Sequence, residues 1–257
     1  MTILDTIVER KRFEVARLKR SGILPPPGEP GPARGFGRAL ARGRDISIIA
    51  EAKKASPSKG LLCPDFDPVA IARDYEQAGA AAVSVLTDSR FFQGSLEYLH
   101  QVRSNISLPV LRKDFIIDHL QVEEAHTWGA DAILLIVAIL EQPLLSELLD
   151  HAGQLEMDVL VETHDEGEAE SALEAGARLI GINNRNLKDF TVSLDTTVRL
   201  RRLIPPEVPV VSESGIRTRE DIEMLGQHNI SAVLIGESLV TAEDRKAKLE
   251  HLSGKSS

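Results

Sequence analysis

Ile46-Ser-Ile-Ile-Ala-Glu-Ala-Lys-Lys-Ala-Ser-Pro-Ser-Lys-Gly60 opens as an apolar β-strand and closes on an acid and a base two residues apart. Side chains alternate along a strand, so Glu51 and Lys53 point to the same side. Where both faces of a sheet are covered, charge at the carboxyl end of a strand is costly to hold beside the core, and a ligand or countercharge compensates. The stretch therefore reads as the floor of a ligand site. Four more segments end in the same way. Leu111-Arg-Lys-Asp-Phe115 closes on Lys113, Val159-Leu-Val-Glu-Thr163 on Glu162, Gly181-Ile-Asn-Asn-Arg185 on Asn183 and Arg185, and Val210-Val-Ser-Glu-Ser-Gly215 on Glu213.

Outward from these segments, strand-like apolar runs begin near Ile46, Ala81, Pro109, Ala132, Met157, Arg178, Pro209 and Ser231, with helical periodicity between them. Three of the intervening helices end on Gln77-Ala-Gly-Ala80, Thr127-Trp-Gly-Ala130 and Glu174-Ala-Gly-Ala177. Each glycine suits the left-handed position after a helix, and a strand run follows within a few residues. These eight units in 257 residues predict a single α/β domain, a closed (β/α)8 TIM barrel with an extra N-terminal helix. A doubly wound open sheet is the alternative, but it has difficulty bringing five strand ends to one site.

The barrel is expected over residues 46–250. Residues 1–45 form an extension. In it, Thr2 to Arg20 is a helix with Ile3, Ile7, Phe13, Val15, Ala16 and Leu18 on its apolar face and its basic residues on a solvated face. Leu24-Pro-Pro-Pro-Gly-Glu-Pro-Gly-Pro32 follows as a stiff connector. Residues 251–257 carry no core signal and are expected to fray.

A net charge of -9 argues against nucleic acid as a partner, so any anionic ligand must be met by a local cluster of positive groups. The single cysteine, Cys63, excludes an intrachain disulfide and a cysteine-rich zinc site, and fits a reducing cytoplasm. No N-terminal stretch resembles a signal peptide. The longest apolar run, Ala132 to Leu140, is shorter than the roughly 20 residues a membrane helix needs. A soluble cytoplasmic protein is expected.

Ser214-Gly215 follows the seventh strand and Gly236-Glu237 the eighth, each ahead of a helix start. Glycine lets main chain approach a ligand, free N–H groups at a helix start attract anions, and barrel enzymes commonly bind phosphate at these two loops. Other marks read as ordinary. Gly254-Lys-Ser256 lacks the preceding strand of a phosphate-binding loop, and His119 and His126 read as helix-surface residues. His164, beside Asp165 and Glu166, has no second histidine at ligand spacing and reads as loop surface.

Taken together, these motifs resemble the indole-3-glycerol phosphate synthase family of tryptophan biosynthesis. The resemblance is carried by Glu51-Ala-Lys-Lys-Ala-Ser-Pro-Ser-Lys-Gly60, Thr87-Asp-Ser-Arg-Phe-Phe-Gln-Gly-Ser95, Leu111-Arg-Lys-Asp-Phe115, Gly181-Ile-Asn-Asn-Arg-Asn-Leu187 and Ser212-Glu-Ser-Gly215, in that order. It implies a carboxy-lyase needing no metal or cofactor. Its substrate would be an anionic phosphosugar-aryl compound, 1-(2-carboxyphenylamino)-1-deoxyribulose 5-phosphate, closed to indole-3-glycerol phosphate with loss of carbon dioxide and water. By the resemblance, Lys113 matches the general acid, Glu162 a general base, and Lys53 and Glu51 a pair that binds substrate and shares the dehydration. Which lysine serves which step stays open. Ser56, Asn183, Arg185 and Glu213 match substrate-holding groups. Phe92, Phe115, Leu134 and Leu187 match apolar walls, and Ser214, Gly215, Gly236 and Glu237 the phosphate cradle.

Glu237 is a departure, because it places an acid in the phosphate turn, and only its main-chain N–H is expected to meet the ligand. Ala52 is small enough to leave room in the barrel layer. Two lysines and an arginine in one mouth are expected to lower each other's proton affinity. Two other readings stay open: another phosphosugar barrel such as phosphoribosylanthranilate isomerase, and a catalytically silent barrel that binds phosphorylated ligands. Neither membrane nor nucleic acid is an expected partner. A monomer or weak oligomer is expected, and association with other tryptophan-pathway enzymes is left open.

Overall fold

The computed structural model describes residues 2–41, 45–186 and 190–254. Its elements follow the eight-unit pattern. After helices α1 (Ile3–Ser21) and α2 (Phe36–Leu40) comes β1 (Ser47–Ala52), then a small hairpin of β2 (Ala55–Ser56) and β3 (Gly60–Leu61). The chain continues with α3 (Pro68–Gln77), β4 (Ala82–Leu86), α4 (Leu96–Asn105), β5 (Val110–Lys113), α5 (His119–Thr127) and β6 (Ala132–Ile136). A 3-10 turn (Val137–Ile139), α6 (Gln142–Gln154), β7 (Asp158–Thr163), α7 (Glu166–Glu174), β8 (Ile180–Asn183) and α8 (Asp195–Arg201) come next. The last two units hold β9 (Val210–Glu213) and α9 (Arg219–Gln227), then β10 (Ala232–Ile235), α10 (Glu237–Val240) and α11 (Arg245–Ser253). Strands pair in parallel in the order β1-β10-β9-β8-β7-β6-β5-β4, and β4 returns to β1 to close the barrel.

Gly79, Gly129 and Gly176 all take the left-handed conformation just past their helices, at φ 86°, 86° and 87°. Elsewhere the same post-helix position is filled by Glu156 and Asn229, also at positive φ. Those two residues carry the signal without a glycine to announce it.

Alternation along the strands sorts the core into two layers. Ile49, Leu111, Leu134, Leu160, Val211 and Leu234 pack together inside the barrel, whereas Ile48, Ala50, Val83, Ile133 and Val233 pack outward against the helices. Ala52 belongs to the outward set, so its small size makes room for a helix and leaves the barrel interior unchanged. Phe36 and Leu40 of α2 join the inner cluster beside Ala82, Ala132 and Ala232, which begin their strands. They plug the amino-terminal end of the barrel, and Gly37 N donates to Asp158 Oδ2 at 2.9 Å to hold the plug in place.

The extension is fastened down. Arg34 donates to the carbonyls of Ile106, Leu108 and Arg103, and its main-chain N–H donates to Asp131 Oδ1 at 2.7 Å. The buried stripe of α1 is Ile7, Lys11 and Val15, one residue per turn, while Phe13 is 63% exposed and Ala16 is also on the outside. Both therefore leave the expected apolar face. Lys11 leaves the expected solvated face for a simple reason: its ammonium lies 2.8 Å from Asp88 and 2.7 Å from Asp114, both buried carboxylates, and 2.9 Å from Glu14. At the other end α11 runs past the expected boundary at 250 and buries Leu252 completely, so residues 251–253 pack in a way that composition did not suggest. Residues 255–257 lie outside the described residues. No described helix is long and apolar enough to cross a membrane.

Candidate active site

A cavity of about 590 Å³ opens at the carboxyl ends of the strands. Its floor is two charge clusters. From β1, Lys53 donates to Glu51 Oε1 at 2.6 Å. From β5, the Lys113 ammonium lies 3.4 Å from Glu162 Oε2 and 3.3 Å from Glu213 Oε2, contributed by β7 and β9. Glu51, Glu162 and Glu213 are all buried, so each depends on these ammonium groups for its charge.

At Lys113 the electrostatics run opposite to the expected repulsion between like charges. Burial alone would lower the proton affinity of Lys113, but Glu213, Glu162 and Glu51 outweigh it and raise it well above the ordinary lysine range. Burial would raise Glu51, yet Lys53 and Lys113 hold it low. Glu162 and Glu213 share Lys113 and split in direction. Burial works against ionising Glu162, but Lys113, His164 and Asn183 overcome it and hold it below the usual range. Burial and the neighbouring Glu162 push Glu213 up, only partly relieved by Lys113.

The side walls are apolar. Phe92 and Phe115 meet with ring centroids 6.0 Å apart, and Leu134 lies nearby on the lining. Ser56 lines the mouth from the hairpin after β1. Asn183 and Arg185 line it from the end of β8, where Asn183 Oδ1 accepts from Arg185 N at 3.0 Å. Leu187 lies outside the described residues. Ser214, Gly215, Gly236 and Glu237 border the same cavity on the β9 and β10 side. Helix α10 begins directly after Gly236, so its first N–H groups have no intrahelical acceptor. A Cβ on Gly236 would collide with Glu51 Oε1, which is why that turn needs glycine. The Glu237 carboxylate is partly exposed and lies 4.0 Å from Lys59 Nζ, so the acid in this turn has a countercharge outside the cradle.

Four features were not foreseen. Ile3, Leu4 and Ile7 of α1 line the cavity, so the extension forms part of its wall. Lys11 fixes that helix through Asp114, the residue next to Lys113. Asn184 is buried and its amide donates to Ser212 Oγ, Glu213 O and Ser214 O at 2.9, 2.9 and 3.0 Å, bracing the turn that carries Glu213 and Ser214. His164, expected on the loop surface, is largely buried, with Nε2 3.3 Å from Glu162 Oε1 and Nδ1 3.0 Å from Glu168 Oε2. Only the paired asparagines after β8 hinted at any of this, since alternate residues there face opposite sides. Among the described residues, no group of three or more His, Cys, Asp and Glu is placed to hold a metal ion. Cys63 is buried away from the cavity lining.

Comparison with known proteins gives a consistent answer. The family model described as indole-3-glycerol phosphate synthase matches residues 4–252. A protein of that name from Desulfotalea psychrophila is 57% identical over 242 residues, covering 93% of each chain. Another from Roseiflexus castenholzii is 47% identical and covers 99% of each. Among solved structures, 3-hexulose-6-phosphate synthase from Salmonella typhimurium superposes with a TM-score of 0.64 at 11% identity, over 81% of this chain and 97% of its own, which speaks to the barrel alone.

Proposed function

The chain belongs to the indole-3-glycerol phosphate synthase family, and from that premise we propose how its cavity carries out the family's reaction. That reaction is the closure of 1-(2-carboxyphenylamino)-1-deoxyribulose 5-phosphate to indole-3-glycerol phosphate in tryptophan biosynthesis. The aromatic carbon bearing the carboxylate attacks the ketone carbon, and negative charge develops on the ketone oxygen. An ammonium beside that oxygen stabilises the charge and supplies a proton, together lowering the barrier by several kcal/mol. Lys113 takes this role. Its proton affinity is raised, but an alkoxide is basic enough to accept a proton even from such a lysine.

Carbon dioxide then leaves, and its bonding electrons restore the aromatic ring. The new hydroxyl leaves as water after protonation by a lysine, and Glu162 takes the proton lost from the neighbouring carbon to give the indole. Glu51 and Lys53 bind substrate and take part in the dehydration, while Asn183, Arg185 and Glu213 hold the substrate and the Lys113 ammonium. Ser56, Phe92, Phe115 and Leu134 shape the aryl pocket. Ser214 and the main chain at Gly215, Gly236 and Glu237 bind the phosphate at the start of α10. Carbonyl addition, decarboxylation and dehydration are all acid–base steps here, so the scheme runs on side chains without a metal or cofactor. A cytoplasmic location suits this role.

The observation that supports the reading most is the position of Lys113, within 3.4 Å of two buried carboxylates at the floor of the cavity. The test is to mix the purified chain with the ribulose substrate and follow indole fluorescence, with the phosphoribosylanthranilate substrate assayed in parallel. Indole appearance with the first substrate alone is expected. Turnover of the second alone would replace this reading with the isomerase.

A further inference from the structure

The two oxygens of Glu162 face different partners. Oε2 lies 3.4 Å from the Lys113 ammonium inside the cavity, while Oε1 lies 3.3 Å from Nε2 of His164, which is absent from the cavity lining. His164 is itself gripped from behind. The Glu168 carboxylate meets its Nδ1 at 3.0 Å and accepts its main-chain N–H at 2.8 Å. The ring therefore bridges two carboxylates, from the floor of the cavity to the first turn of α7.

We propose that His164, held by Glu168, is a positioning residue that fixes the Oε1 edge of Glu162 and so aims Oε2 at Lys113 and the bound substrate. The proposal rests on Glu162 being the general base. An imidazole lying between two carboxylates, one hydrogen-bonded at Nδ1 and the other at ion-pair distance from Nε2, is most stable as a cation. Burial works against that charge, but Glu162 and Glu168 push the imidazole up to about 10, so it stays protonated at neutral pH. Its charge helps keep Glu162 ionised.

The surrounding charges agree with this. Asp165 and Glu166 follow His164 in the chain, Glu166 is paired with Arg199 of α8, and Lys113 lies beyond Glu162. The 3-10 turn packed against β7 and α7 is Val137-Ala-Ile139 and carries no charge. The arrangement resembles a base oriented by a third group, here with the histidine doing the orienting.

The test compares His164→Gln, Glu168→Gln and Glu162→Gln in the full chain. His164→Gln is expected to lower kcat by about 10- to 100-fold with KM within about threefold, and to move the acid limb of the kcat profile up by about one pH unit, because Glu162 loses a cation. Glu168→Gln should lower kcat by about threefold by loosening the ring's hold, with the acid limb unmoved because His164 stays protonated there, and it keeps the test decisive if His164→Gln does not fold. Ring-nitrogen NMR of the wild-type chain should show His164 doubly protonated at pH 8. A neutral ring at pH 8, unchanged kcat in both positioning variants, or a fall in kcat of His164→Gln without movement of its acid limb would each overturn the proposal. Retained turnover in Glu162→Gln would instead remove the premise that Glu162 is the base, a result readable independently of the other two variants.

Discussion

Lys113 Nζ lies 3.3 Å from Glu213 Oε2, and Glu213 is packed so closely on Gly181 that a Cβ there would collide with its other oxygen. The lysine is thus paired with a buried carboxylate that fills the space Gly181 leaves open. Glu213→Gln should lower kcat by about 100-fold. It should also move the alkaline limb of the kcat profile down in pH, because a lysine that loses a neighbouring anion releases its proton more easily. A kcat profile from pH 6 to 11 reads both effects.

Gly236→Ala should act on the phosphate cradle and on Glu51 together, since the added methyl would meet Glu51 Oε1. KM is expected to rise at least tenfold, about 1.4 kcal/mol of binding, with a smaller fall in kcat. Steady-state kinetics on the purified variant decide this; an unchanged KM would place the phosphate elsewhere.

Lys11 holds α1 to the barrel through Asp88 and Asp114. Lys11→Met leaves two buried carboxylates short of a partner and should cost about 3–5 kcal/mol in urea unfolding at pH 7. The pH dependence has a definite sign. Burial would raise Asp114, but Lys11 and Arg112 depress it well below the usual aspartate range. The stability it contributes is therefore fully present above about pH 4 and is lost as pH falls through the depressed value. Burial would lower Lys11, but Asp114, Asp88 and Glu14 raise it, so its contribution is lost only as pH climbs beyond the ordinary lysine range. The gap between wild type and Lys11→Met should accordingly narrow in acid.

Phe36 is fully buried at the opposite end of the barrel from the cavity. Phe36→Ala should cost about 3–5 kcal/mol of stability while kcat at 25 °C stays within twofold of wild type. Thermal unfolding beside steady-state kinetics separates the two. A large loss of activity in a folded variant would mean that the plug is coupled to the site.

The parts of this molecule legible from sequence are those set by local pattern. Strand alternation places Glu51, Lys53, Lys113, Glu162 and Glu213 on one mouth, and three glycines past helices mark the β/α period. What local pattern does not reveal depends on contacts between distant segments. Lys11 looks like any basic helix residue until Asp88 and Asp114 are seen beneath it, and His164 looks like loop surface until Glu162 and Glu168 are seen on either side. Ala52 packs outward against the helices, on the side that alternation from Glu51 determines. Phe36 carried no signal, because a single aromatic in a five-residue helix has no period to read.

The Lys113 ammonium is proposed to protonate and stabilise the ketone oxygen as the ring closes, so Lys113→Ala removes that proton; indole fluorescence under saturating substrate and calorimetric binding read the consequence. Turnover should fall by at least 1,000-fold, about 4 kcal/mol of barrier, while substrate binding remains measurable. Turnover within tenfold of wild type in a folded variant would contradict it.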